Sequence, residues 1–231
     1  MFLEGENMNK DKRIRIIIGH YGSGKTEFSI NYALELNKQG KKVAIADLDV
    51  VNVYFRSREK AELLEEKGIK VIGASIKGNA LDLPAISGEV LTPLQDKSYD
   101  TILDVGGDPA GARALGRYHE YFIEGDYDMF FVLNANRPDT GTVEAALQYV
   151  RQIEDTSRAK VTGIINNTHM LKSTTIDDII NGYQLALELS ELTGIPLKYN
   201  IVLEELAPLL PKDMVGEVFP IELYMREEWM N

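Results

Sequence analysis

The sequence contains no cysteine. That excludes disulfides, thiol nucleophiles, cysteine-ligated iron–sulfur clusters and thiolate metal sites within this chain. Positive charge is also scarce: 25 Lys and Arg stand against 36 Asp and Glu, for a formal charge of -11 and a pI near 4.8. Non-specific DNA binding needs a basic footprint, and docking on an anionic membrane meets the same repulsion, so both are disfavoured. Long apolar runs are missing, and none approaches the length of a membrane span. Met1–Lys12 is polar and mixed in charge, without the apolar centre of a signal peptide. It is expected to be a flexible N-terminus, with a cytoplasmic location as the default. No repeat, low-complexity tract or linker interrupts the remainder, so residues 13–231 are expected to form a single domain.

What is present is an alternation of short apolar runs with amphipathic stretches. Strands are expected at Ile14–Ile18, Val43–Ala46, Lys70–Gly73, Thr101–Leu103, Met129–Leu133, Val161–Ile165 and Leu197–Ile201. Helices are expected at Lys25–Gln39, Ser57–Lys67, Arg113–Phe122, Val143–Glu154 and Ile176–Leu192, with Gly40 and Gly68 as stops. Val143, Ala146, Leu147, Val150 and Ile153 fall on one stripe of their helix. Leu81–Asp96 is interrupted by proline and reads as short helical turns. Asp139 or Thr140 suits the N-cap of the helix at Val143. Apolar strands between amphipathic helices imply an α/β fold whose mostly parallel sheet is covered on both faces. Ligands of such sheets sit beyond the strand C-termini.

The first strand runs into Gly19-x4-Gly24-Lys25-Thr26. Glycines let backbone N–H groups approach a phosphate closely, a lysine reaches the β- and γ-phosphates, and a threonine hydroxyl serves Mg2+. The candidate nucleotide contacts are therefore Gly19, His20, Tyr21, Gly22, Ser23, Gly24, Lys25, Thr26 and Glu27. Two later strands end in carboxylates. Asp104 opens Asp-x-x-Gly107, where the carboxylate can hold Mg2+ and the glycine N–H can meet a γ-phosphate. Asp47 and Asp49 are spaced so that both side chains point the same way in extended backbone. One can support the metal shell while the other orients or deprotonates water.

These elements together resemble the MinD/ParA group of phosphate-loop NTPases, whose members show Gly-Lys-Gly-Gly-x-Gly-Lys-Thr, then Asp-x-Asp, then Asp-x-x-Gly. The resemblance implies a three-layer α-β-α sandwich with a mostly parallel sheet of about seven to eight strands. It implies ATP and Mg2+ as ligands, ATP hydrolysis to ADP and phosphate that drives a conformational or oligomeric switch, slow turnover without a protein partner, and ATP-dependent homodimers. By position, Lys25 binds phosphate, Asp49 activates water, Asp47 and Asp104 attend the metal together with Thr26, and Gly107 senses the γ-phosphate. The group's signature lysine, which crosses to the partner subunit's phosphates, is replaced here by His20, and Tyr21 replaces the following glycine.

Val161-Thr-Gly-Ile-Ile-Asn166-Asn167 resembles the strand end at which these ATPases bond adenine, since an amide offers both donor and acceptor. Either Asn166 or Asn167 can face the base, and Asn166 is favoured. No Asn-Lys-x-Asp tetrad of guanine-specific proteins occurs. Gly194-Ile-Pro196 resembles the group's segment beside the base. Arg56 and Arg58 read as a solvated helix start, and His119 and His169 as surface or hydrogen-bonded histidines without ligand spacing. Arg113, Arg117 and Tyr118 lie on a helix suited to face a protein partner. A competing reading is an ATP-dependent small-molecule transferase or ligase, like dethiobiotin synthetase or cobyrinate amidase, with Leu81–Gln95 and Arg56 or Arg137 around an acceptor. A third is a non-hydrolysing, nucleotide-gated adaptor.

Overall fold

The computed structural model describes residues 8, 10–49, 60–73, 88–107 and 109–225, without the side chains of 109 and 110. Arg56, Arg58, the start of the helix expected from Ser57, and the first part of Leu81–Gln95 lie outside the described residues. In chain order the elements are β1 (Ile14–Ile18), α1 (Lys25–Lys38), β2 (Val43–Asp47), α2 (Ala61–Glu66), β3 (Lys70–Ile72), α3 (Leu91–Gln95) and β4 (Asp100–Asp104). They continue as α4 (Pro109–Leu115), β5 (Tyr127–Leu133), α5 (Val143–Ser157), β6 (Gly163–Asn166), α6 (Ile176–Thr193), β7 (Leu197–Leu203) and β8 (Glu217–Ile221).

Eight strands make one sheet in the order β3-β2-β4-β1-β5-β6-β7-β8, and every pairing is parallel. The period of two along each strand divides its side chains between two cores. Ile14, Ile16 and Ile18 join Leu103, Phe131 and residues of α4, α5 and α6 on one face. Ile17 joins Val43, Ile102, Phe130 and the helix α1 residues Phe28, Ile30 and Tyr32 on the other. Both faces being covered explains why the central strands are largely apolar. A three-layer α/β sandwich follows.

Helix termini are set locally. Thr142 caps α5 by accepting from the Ala145 N–H at 3.2 Å, a role expected of Asp139 or Thr140. Those two residues lie instead in a 3-10 turn over Pro138–Thr140, where the Thr140 hydroxyl donates to the Asn134 carbonyl. Thr175 and Asp178 form a capping box at α6, which Gly194 ends in the left-handed region. The helix expected at Arg113–Phe122 starts earlier, at Pro109, and gives way to a 3-10 turn over Gly116–Tyr121. Leu115, Tyr118 and Tyr121 all pack inward, and their spacing of three matches the 3-10 period.

Packing begins before Arg13, inside the segment expected to be loose. Met8 and Asp11 are buried, and Asp11 accepts from the hydroxyls of Tyr32 and Tyr199 and from Lys198. Burial, reinforced by Asp11, holds both tyrosine hydroxyls far above their ordinary pKa. Strand β8 has no counterpart among the expected strands. It reads Glu-Val-Phe-Pro-Ile, and Pro220 is tolerated because β8 is an edge of the sheet. No helix among the described residues is long and apolar enough to cross a membrane.

Candidate functional site

Strand β1 stops at Ile18, and Gly19–Gly24 turns the chain into α1. The Ser23 N–H donates to the His20 carbonyl at 3.1 Å, and the Lys25 ammonium donates to the same oxygen at 3.2 Å. Gly24 starts α1 with φ 83°, and no side chain caps the helix. Its first N–H groups and the positive end of its dipole are thus left for an anion. A Cβ on Gly24 would lie 2.3 Å from the Asn167 amide nitrogen, so any side chain there would displace Asn167.

Parallel pairing brings the acidic strand ends to this loop. Asp47 and Asp104 are register partners across β2 and β4, and Ile17 of β1 is the other partner of Asp104. Asp47, Asp49 and Asp104 are 3%, 8% and 1% exposed, and Lys25 is 7% exposed. The Asp49 N–H donates to the Asp47 carboxylate at 3.0 Å. Burial first, then the neighbouring Asp47 charge, pushes the Asp104 carboxyl up to about 7, although Lys25 and the Thr26 hydroxyl pull it down. Neither Asp104 oxygen has a hydrogen bond of good geometry. A buried carboxylate beside a threonine hydroxyl, with its lone pairs unused, fits a hard cation such as Mg2+. Among the described residues there is no cluster of three or more metal-binding side chains. Magnesium at phosphate sites needs no such cage, since phosphate and water complete its shell.

A cavity of about 250 Å3 opens beside the loop. Tyr21, Gly22, Gly24, Lys25, Thr26, Glu27 and Asp49 line one end, and Ile201, Val202, Leu203, Ile221, Leu223 and Met225 line an apolar wall. Such a polar end and apolar wall suit an anionic group joined to a flat ring. Glu27 lines the cavity but is turned to the C-terminal segment, where its carboxylate accepts from the Tyr224 and Met225 N–H groups. Asn31 brackets Glu222 in the same way, so α1 holds residues 222–225 as a strap along the apolar wall.

Several expected contacts sit elsewhere. Gly19, His20, Ser23, Gly107, Asp47 and Asp104 do not line the cavity. The His20 ring faces Asp139 at 3.3 Å and packs edge-on against Tyr149. Gly107 packs on the loop backbone, where a Cβ would be 2.7 Å from the Tyr21 nitrogen, and its carbonyl accepts from the Tyr149 hydroxyl. Asn166 was favoured over Asn167 for the base, but its side chain is buried. It donates to the Ile179 carbonyl and to Asn200, and accepts from the Thr168 N–H. Asn167 is the neighbour that lines the cavity, donating to the Ser23 carbonyl at 2.7 Å. Gly194-Ile-Pro196 precedes β7, at the far end of the sheet from the cavity, so the wall comes from Ile201–Leu203 at the other end of that strand. His169, Thr168, Leu171 and the strap line the cavity without being among the expected site residues. The paired Asn166-Asn167 was the nearest signal for the first two.

The fold has relatives among solved structures. FtsY from Mycoplasma mycoides is similar over 85% of this chain and 61% of its own, with 22% identity and a TM-score of 0.54. The cell division protein FtsY from Thermotoga maritima gives 80%, 60%, 21% and 0.56 in the same terms. The signal recognition particle 54 kDa protein from Aeropyrum pernix, in complex with GDP, gives 77%, 39%, 20% and 0.50. The chain therefore spans about three fifths or less of these proteins' lengths. No protein-family model and no curated protein matches the sequence. At these identities the likeness is one of fold, an α/β sandwich on a parallel sheet.

Proposed function

We propose that this chain is a Mg2+-dependent ATPase of the MinD/ParA-like kind, whose hydrolysis of ATP to ADP and phosphate drives a conformational or oligomeric switch. One observation carries the reading: the uncapped start of α1, Lys25 and Thr26 line one cavity, and the buried carboxylate of Asp104 interacts with Lys25 and Thr26 from behind it. Lys25 and the loop N–H groups would bind the phosphates, and Thr26 and Asp104 would hold Mg2+, with Asp47 behind them. Bound there, Mg2+ supplies charge neutralisation for the leaving phosphate oxygens. Asp49 would orient a water in line with the terminal phosphorus and take its proton as the new P–O bond forms and the bond to ADP breaks.

Adenine is supported by the composition of the wall. Among the described residues the carboxylates lining the cavity are Glu27, engaged by the strap, and Asp49, beside Gly106. The amide of Asn167 gives the donor and acceptor that adenine needs, whereas guanine calls for a carboxylate opposite its N–H groups. GTP is the second reading, because fold relatives were crystallised with GDP. Phosphate release from ATP and from GTP, with Mg2+, tests both. ATP turnover that disappears in Asp49→Asn while ATP binding persists is the expected result. Turnover of GTP alone would replace the purine, and turnover of neither would leave the chain without the proposed activity.

A further inference from the structure

We propose that Arg137 binds the phosphates of the nucleotide from within the same chain, as a second cation opposite Lys25. The inference rests on the nucleotide reading above and adds a residue to it. Arg137 stands on the loop between β5 and α5, and that loop is tied down at several points. The Arg137 N–H donates to the Asn134 carbonyl at 3.1 Å, the Thr140 hydroxyl donates to the same oxygen at 2.9 Å, and the Asn136 N–H donates to the Asn134 side chain. Asn134 itself is fully buried. From this base the guanidinium reaches across to the phosphate loop.

There its Nε donates to the Gly22 carbonyl at 3.1 Å, and the Asn134 amide approaches the same oxygen at 3.4 Å. The guanidinium carbon lies 2.8 Å from where a Cβ on Gly22 would stand, so the group lies directly on the loop. Arg137 is exposed at the mouth of the cavity and lines it together with Gly22, Gly24 and Lys25. One of its N–H donors is used by Gly22, and among the described residues no carboxylate forms an ion pair with it. Its remaining N–H donors make a planar fork suited to phosphate oxygens.

The charges around the cavity give this fork a purpose. Glu27 and Asp49 line it, Asp47 and Asp104 lie close behind Lys25, and among the described residues the permanent cations lining it are Lys25 and Arg137. A polyphosphate entering with Lys25 alone would meet more negative charge than positive. His20 does not relieve this, since its ring is turned to Asp139 and Tyr149. Holding the Gly22 carbonyl is a second consequence of the same contact, because an oxygen drawn to Arg137 is one kept from facing a phosphate.

Calorimetric titration of wild type, Arg137→Gln and Arg137→Lys with MgATP, inorganic triphosphate and AMP tests the proposal, with thermal unfolding as a control on folding. Arg137→Gln should weaken ATP and inorganic triphosphate on the order of 10- to 100-fold, the range of a lost charged hydrogen bond. AMP should be weakened far less, and Arg137→Lys should recover part of the loss by charge without the fork. Equal losses for ATP and AMP would overturn the proposal by making Arg137 a brace for the loop. Unchanged ATP affinity in Arg137→Gln would overturn it as well. Wild type that binds none of the three probes would remove the nucleotide reading itself, an outcome distinct from a failure of Arg137 alone.

Discussion

Asp104 ends a parallel strand with both carboxylate oxygens buried and a second carboxylate, Asp47, as its register partner. Its folded pKa, raised from 3.8 to about 7, means that ionising it costs the folded state. That cost is absent below the unfolded pKa, grows as pH rises through the window from 3.8 to about 7, and stays constant above it. Asp104→Asn removes the charge, so in metal-free protein it should raise Tm by several degrees at pH 8 and by little at pH 4. A scan of Tm against pH for the two proteins checks this. At Asp49 the expectation is kinetic: Asp49→Asn should keep ATP affinity and lose hydrolysis by about 100-fold or more, the range of a positioned general base. Single-turnover assays read it, and unchanged turnover would remove that role. The phosphate loop was legible because its chemistry is consecutive, from Gly19 to Thr26. The part of the cavity after β6 was not, since Asn166 and Asn167 are equivalent in sequence and only the fold turns one inward and the other to the cavity.

At the scale of elements, the site is assembled from pieces far apart in the chain. Arg137 follows β5 and His169 follows β6, and both meet the loop after β1, while the strap follows β8 and is held by α1. No local pattern announces such meetings, which is why β1 and its loop were readable and the strap was not. Strand β8 escaped for a more specific reason, because Pro220 reads as a breaker until the strand is known to be an edge. Helix α6 sets the loop after β6 by close approach at Gly182. A Cβ there would lie 1.9 Å from the Thr168 hydroxyl and 2.5 Å from the Asn166 side-chain oxygen. Gly182→Ala must push this loop outward, with an expected loss of about 1–3 kcal/mol in stability from overpacking. ATP should weaken too, through Asn167. Denaturant melts with and without ATP measure both effects, and an unaltered melt would show that α6 can shift without cost.

At the scale of the molecule, the all-parallel order with β1 at its centre puts every strand C-terminus on one side, and the cavity lies there. The alternation of apolar runs and amphipathic stretches made that architecture readable in advance, because the central strands are buried on both faces. If hydrolysis drives an oligomeric switch, light scattering should show the mass double with Mg2+ and a non-hydrolysable ATP analogue and not with Mg2+ and ADP. A mass indifferent to nucleotide would remove the oligomeric form of the switch and favour an acceptor-dependent transferase. The net charge of -11 adds the expectation that neither state is retained on DNA at physiological salt.

Nucleoside triphosphate binding by the turn from β1 into α1 underlies every role proposed above. Calorimetric titration of MgATP into wild type and Lys25→Ala tests it most directly. Saturable binding at one site per chain is expected, weakened on the order of 100-fold or more when the Lys25 charge is removed. Absence of saturable binding, or equal affinity in the two proteins, would contradict it.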